Sequence, residues 1–263
     1  MKLWENSEIL ISPPVLLTLQ TLAQIGVELH KQSNDESKTI NAKHAIHHSS
    51  FIIHHFPFLR RSVEKLVAQS EKHDGEISFV NFHPRIACFP VRTETLPPAT
   101  HTNCFVAGGR ELVVIDPASP FVEEQNRLRE HIDSLIETGG AVVKELILTH
   151  LHRDHVSGAN ALKKHLREKH NLDVPVAAHK LTAESLRDSV RVERFIEDNE
   201  IISLKINDAE TLELTALHAP GHARGHLCFY DERRGFLLSG DNVVGTGSVL
   251  IAPPDGNMIA YLN

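Results

Sequence analysis

The chain has 263 residues, 41% of them hydrophobic and 23% charged, and a formal net charge of −7. That length allows one large domain, or one domain plus an appendage, with an ample core, and the absence of any long apolar run excludes a membrane-spanning helix. The acidic balance argues against a broad nucleic-acid footprint, although bound divalent metals draw phosphate even to an acidic protein.

The first residues, MKLWENSEILISPPVLL, mix acids and a proline pair into the place where a signal peptide carries a clean apolar run, so the expected location is cytoplasmic. Ser12 caps a helix that runs through VLLTLQTLAQIGVELHKQ with proline in its first turn. A second amphipathic helix, FPFLRRSVEKLVAQSEK, puts Leu59, Val63, Leu66 and Val67 on one face. Between them HAIHHSSFIIHH holds five histidines within residues 44–55, and its apolar neighbours favour a partly buried segment over a metal site. Residues 1–75 thus read as a helical N-terminal extension, and residues 76–263 as the main domain.

After His73-Asp74-Gly75 the periodicity changes to short apolar runs separated by turns: ISFVNF, RIACFPV, NCFVAGG and ELVVID. A helix is expected from about Phe121 to Thr138, then the strand KELILT, a helix from Gly158 to His170, the strand VPVAA and a polar helical region around 181–199. Three further strands are expected in TLELTALHA, GHLCFY and GFLLSG. Strands mixed with helices imply a layered arrangement of both. The scattered Cys88, Cys104 and Cys228 offer no CxxC pair or disulfide framework and read as core thiols.

The chemistry is concentrated in His150-Leu-His152-Arg-Asp154-His155. A strand alternates sides, so His150 and His152 point the same way, while Asp154 and His155 fall in the turn before the next helix. One loop then offers donors in two directions, which suits two adjacent metals, and imidazole and carboxylate are ligands that zinc, iron and manganese accept. Crowded imidazoles destabilise a fold unless something binds them. Two later strand ends add His222 in APGHARGH, exposed by its Pro-Gly turn, and Asp241 in LSGD, presented by Gly240.

THLHRDHVSG, then APGHARGH, then LSGD, in that order, resembles the metallo-β-lactamase superfamily over roughly residues 80–262. THTNCFVAGGRELVVIDPA and the full HLHRDH form are similar to the glyoxalase II-like group, including its branch of single-strand-specific endoribonucleases known as β-lactamase-like protein 2. The resemblance implies an α+β fold, a four-layer αββα sandwich with the metals at one edge. It places His150, His152 and His222 on one Zn²⁺, Asp154 and His155 on a second, and Asp241 between them, with Fe or Mn as alternatives. Asp154 would also orient the attacking hydroxide. Asp116 is expected either to support a ligand histidine or to be an ordinary strand-end carboxylate, His226 to support a ligand or the fold, and His218, His101, Arg153 and Arg224 to line the site. The family's final histidine, in a late PGHG-like turn, has no counterpart after His226, so the resemblance implies a C-terminally incomplete sandwich and a weakened second site. Self-association through that edge, near Val249, Leu250, Ile251 and Ile259, is the corresponding expectation.

The implied activity is hydrolysis of an ester, thioester, lactone or phosphodiester by a metal-bound hydroxide, with a small-molecule substrate or single-stranded RNA. A metal-binding or scaffold protein with a weakened site is the alternative. A flavin-partnered reductase core ranks below both, because that branch carries a glutamate in the first motif. An antibiotic-degrading role ranks low for want of a secretion signal. WENSEILISPPVLLTLQTLA faintly resembles the closing segment of some Nudix hydrolases, but no Nudix box accompanies it.

Overall fold

The computed structural model describes residues 79–83, 85–97, 99–244 and 248–262. The helical extension expected over residues 1–75 lies outside the described residues, as does the histidine-rich run at 44–55. Eleven strands form two sheets among the described residues. The larger is β1 (Val80–His83), β2 (Ile86–Arg92), β3 (His101–Gly108), β4 (Glu111–Ile115), β5 (Val142–Leu148), β6 (Val176–Ala178) and β7 (Arg194–Phe195), side by side in that order. Its first three pairings are antiparallel and its last three parallel. The smaller sheet runs β11 (Phe236–Leu238), β10 (Leu227–Asp231), β9 (Thr211–His218), β8 (Ile201–Lys205), antiparallel throughout.

The burial pattern explains the layering. Strands β4 and β5 sit in the middle of the larger sheet and are covered on both faces, which is why ELVVI and the end of VVKELIL are nearly continuous apolar runs. Strand β9 alternates instead, burying Leu212, Leu214 and Ala216 and exposing Thr211 and Glu213, as a sheet with one covered face requires. One core lies between the sheets and includes Ile115, Ile147, Leu204, Leu214 and Phe229. The other lies between the larger sheet and the helices α1 (Val122–Glu137) and α3 (Ala159–His170). Helix α1 contributes Leu128 and Ile132, one turn apart, and α3 contributes Ala159, Leu162 and Leu166. Asn171, with φ 55°, closes α3 in the left-handed conformation.

The strands and helices fall close to their expected places, with two differences. The polar region at 181–199 is helical only in α4 (Lys180–Ser185). Beyond it Val190 and Ile196 are drawn into the two cores, and β7 pairs in parallel with β6, so tertiary burial overrides a polar helical pattern. Strand β8 was not expected from sequence. Its IISLK buries only Ile202 and Leu204, a two-residue alternation too short to stand out.

Strand direction fixes the position of the site. Strands β4 and β5 are parallel, so Asp116 and Thr149, just past their ends, meet at one edge. Leu227 N–H donates to the Thr149 carbonyl at 2.9 Å, which brings the start of β10 to the same edge. The link 219–226 and the turn after β11 therefore arrive there as well. Leu250, Met258, Ile259 and Leu262 stand exposed on the C-terminal segment, where the short helix α5 (Met258–Leu262) forms, while Val249 and Ile251 are half-buried. No helix of the described residues is long and apolar enough to cross a membrane.

Candidate metal centre

Where β5 stops, the chain passes through Thr149-His150-Leu151-His152 into the one-turn helix α2 (Arg153–Val156). His150 is fully buried and His152 half-buried. His150 Nε2 lies 3.0 Å from His152 Nδ1 and 3.3 Å from His222 Nε2. Three ring nitrogens from two distant segments thus converge on one point. A second group shares His150 and adds His155 and Asp241, with donor atoms within 4.8 Å of one another.

The surrounding hydrogen bonds fix which nitrogen of His150, His155 and His222 faces inward. Asp116 accepts the Thr149 amide at Oδ1 (2.7 Å) and the Thr149 hydroxyl at Oδ2 (2.6 Å). A carboxylate cannot donate, so Thr149 gives its only hydroxyl proton to Asp116. Its oxygen must then accept from His150 Nδ1–H at 2.9 Å, leaving the His150 Nε2 lone pair free. His155 Nδ1–H donates to Asp116 Oδ2 at 2.8 Å, and His222 Nδ1–H to the Leu250 carbonyl at 2.7 Å. Asp116 therefore orients one histidine directly and another through Thr149. The structure thus brings Asp116 to two of the candidate histidines.

Neutral rings cannot all be satisfied in this arrangement. With Nδ1 protonated on His150 and His222, their facing Nε2 atoms are both bare acceptors, and one His152 proton serves at most one of them. Burial, reinforced by the neighbouring rings of His155 and His226, holds His150 well below the ordinary imidazole range, so it does not charge. His152 is lowered too, chiefly by burial, against the opposing pull of Asp154 and Asp241. Burial alone would lower His155, but the carboxylates of Asp241 and Asp116 outweigh it and hold the ring well above the usual value. A divalent cation answers the facing lone pairs of His150 and His222 at once and can replace the proton that His155 shares with Asp241, and the donor set of imidazoles with one carboxylate is one that zinc accepts.

Asp241 stands on a 3-10 turn, Gly240–Asn242, that follows β11. Its Oδ1 is 3.2 Å from His155 Nε2 and its Oδ2 3.6 Å from His222 Nε2. Burial raises this carboxyl, yet the charge and hydrogen bond of His155 bring it below the usual carboxylate range. His226 holds the turn in place: its Nε2 accepts the Asp241 amide at 3.1 Å, and burial pushes the ring down to about 3, so it stays a neutral acceptor. Gly240 has φ 50°, and a Cβ there would lie 2.7 Å from His226 Nε2, so glycine is required twice over.

The six candidate ligands do not all meet. His150, His152, His155, His222 and Asp241 fall into the two donor groups, whereas Asp154 is in neither; it sits half-buried at the start of α2, close enough to act on His152. The structure therefore groups His150, and not Asp154, with His155 and Asp241. His218 stacks on His179 with centroids 4.1 Å apart, and its Nε2 donates to the Arg224 carbonyl at 2.8 Å. Arg224 pairs with Asp255, Arg153 is exposed, and His101 bonds Thr100. None of these four belongs to a donor group among the described residues. Sequence reasoning missed Thr149 and the Leu250 carbonyl. Only the position of Thr149, directly before the first histidine, could have marked it. The three cysteines are free and buried.

A family model described as the metallo-beta-lactamase superfamily matches residues 97–262. Among curated proteins, a lactamase-like protein of Pestalotiopsis microspora is 28% identical over 151 residues, 57% of this chain and 41% of that protein. An atrochrysone carboxyl ACP thioesterase of Pseudocercospora fijiensis (strain CIRAD86) is 28% identical over 56% of this chain and 38% of its own length. The chain thus spans about two fifths of the curated relatives it matches. A solved metallo-beta-lactamase from Pontibacter korlensis superposes with TM-score 0.55 at 15% identity, covering 71% of this chain and 81% of that one. A beta-lactamase domain protein from Burkholderia ambifaria gives 0.53 at 15% identity over 65% of this chain and 59% of its own. At such identities the two structures attest the shared fold alone.

Proposed function

The chain belongs to the metallo-beta-lactamase superfamily, and from that premise we propose that it is a hydrolase holding two divalent ions, zinc foremost, and cleaving a thioester or related ester. The observation that carries the reading is the convergence of His150 Nε2, His152 Nδ1 and His222 Nε2 at 3.0 and 3.3 Å, with the outward nitrogens of His150 and His222 committed to Thr149 and Leu250. Residues 76–263 would form the catalytic unit.

Bound divalent ions supply Lewis acidity and lower the pKa of water to near neutrality. The rest falls to the protein. His150, His152 and His222 would hold one ion; His155 and Asp241, beside His150, would hold the other. Asp116 and Thr149 keep the ring tautomers fixed, so the donor atoms need not reorganise when the ions enter. His226 keeps Asp241 aimed at both groups. Asp154, next to His152 and outside the donor groups, would orient the attacking water and take up its proton. His152, the least buried of the ligand imidazoles, marks the side from which substrate arrives.

The thioester preference is supported by relatives named as acyl-carrier-protein thioesterases. The test compares metal-loaded and chelator-treated protein on an acyl thioester, a lactone and a single-stranded RNA. Thioester cleavage that stops on chelation and returns with Zn²⁺ is the expected result. Cleavage indifferent to chelation, or no turnover by the loaded protein, refutes the reading. A clear preference for RNA refutes the substrate class.

A further inference from the structure

The outer helical layer carries a second cluster of ligand-type side chains. Asp133 on α1 accepts His165 Nε2 at 2.8 Å and His170 Nε2 at 2.6 Å, both on the same oxygen, Oδ1. Its other oxygen accepts Lys169 Nζ at 2.8 Å, and Lys169 also pairs with Glu137 at 2.9 Å. The two rings approach from different directions, with centroids 6.1 Å apart and planes at 73°. The side chains of Asp133, His165 and His170 are only 11%, 21% and 8% exposed.

We propose that Asp133 Oδ1, His165 Nε2 and His170 Nε2 form a separate divalent-cation site of the zinc class, clamping α1 to α3. Two imidazole nitrogens and a carboxylate oxygen make a tripod that such ions accept, with water as fourth ligand. The three donor atoms lie within 4.8 Å of one another. Tetrahedral coordination at zinc bond lengths spaces donors about 3.3 Å apart, so the two nitrogen–oxygen contacts need open by only roughly half an ångström. Rotation of partly exposed side chains supplies that. Lys169 occupies Oδ2 and leaves Oδ1 to the cation.

The cluster is distinct from the central one. His165 and His170 lie six and eleven residues along α3 from Ala159, about 9 and 17 Å from the end that faces the central histidines. Each helix contributes to the tripod, so a bound ion cross-links the layer that covers the larger sheet. Such an ion binds the folded chain alone and stabilises it by mass action. The cluster would thus act as a structural site whose occupancy is independent of catalysis.

The experiment uses the full chain with His150→Ala and His222→Ala, which takes at least one donor from each central group. Zn²⁺ bound at buffered micromolar free metal is measured by equilibrium dialysis and elemental analysis, then measured again after adding His165→Gln and His170→Gln. The second chain should hold one Zn²⁺ fewer and lose the rise in melting temperature that Zn²⁺ gives the first. Taking the difference cancels any metal held by the histidines at 44–55. Equal metal content and equal melting response in the two chains overturn the proposal and leave an ordinary hydrogen-bonded ion cluster. Should the fourfold variant fail to fold, His170→Gln alone is read the same way, since Asp133 keeps His165 and Lys169. Hydrolysis by the chain with intact central ligands should be unchanged by His165→Gln with His170→Gln, which separates this inference from the proposed activity.

Discussion

Replacing Asp116 with Asn tests the account of the site at its most connected residue. Asp116 is 2% exposed and accepts three hydrogen bonds: two from Thr149 at 2.7 and 2.6 Å and one from His155 at 2.8 Å. Its φ is 51°, a conformation that Asn tolerates as well as Asp, so the substitution adds no backbone strain. Asn supplies one acceptor oxygen. Placed at Oδ1 it keeps the Thr149 amide, but its NH₂ then faces the Thr149 hydroxyl and His155 Nδ1–H. Placed at Oδ2 it leaves the Thr149 amide facing a donor. At least one buried, charge-assisted bond is lost either way, at ~1.5–3 kcal/mol each, and rotation of the Thr149 hydroxyl recovers part. We expect about 2 kcal/mol less stability, from a total of ~5–15 kcal/mol. With the ring tautomers no longer fixed, metal affinity should fall roughly 10–100-fold. Zn²⁺ retention under buffered free metal and denaturant unfolding measure the two effects. Thr149→Val serves as the companion, since it frees only the His150 ring. Unchanged metal retention and a stability loss below ~0.5 kcal/mol in Asp116→Asn would refute the claim that this carboxylate organises both histidines.

Removing His152 by His152→Ala takes one of three convergent donors from the first group and should strip most of its metal, as elemental analysis would show. Asp154→Asn keeps shape and loses charge outside the donor groups; kcat should drop at least tenfold while the melting temperature stays within a few degrees, and a wild-type rate would deny Asp154 any catalytic part. Gly240→Ala puts a methyl 2.7 Å from His226 Nε2 at φ 50° and should destabilise the fold by about 1–3 kcal/mol while displacing Asp241; thermal unfolding and activity report the two effects. Acid unfolding probes Asp133, which burial would raise but which the bonds from Lys169, His170 and His165 bring down from 3.8 to about 2. A carboxyl lowered on folding stabilises above its unfolded pKa and loses that as pH falls through its folded one, so Asp133→Asn should lack about 2 kcal/mol of stability that wild type sheds between pH 4 and 2.

HLHRDH was legible as a cluster of donor side chains because contiguous donors at a strand end need no tertiary information, and His222 and Asp241 were legible as candidates because glycine turns marked two more strand ends. The α1 and α3 helices were readable from their apolar spacing, and β4 and β5 from their continuous apolar runs. The polar stretch after α4 was not, because pairing of β7 with β6 depends on a neighbour that local pattern does not contain. Nor could sequence group the ligands. His155 and Asp241 face each other only because β5 and β11 end at the same edge of two stacked sheets, and Asp154, adjacent to His155 in sequence, belongs to neither donor group. The ring tautomers were further from reach. They depend on Asp116, 33 residues before Thr149, and on Leu250, 28 residues after His222. Which donors a chain possesses is a local property of sequence; which lone pairs they present is decided by hydrogen bonds that exist only once the strands are side by side.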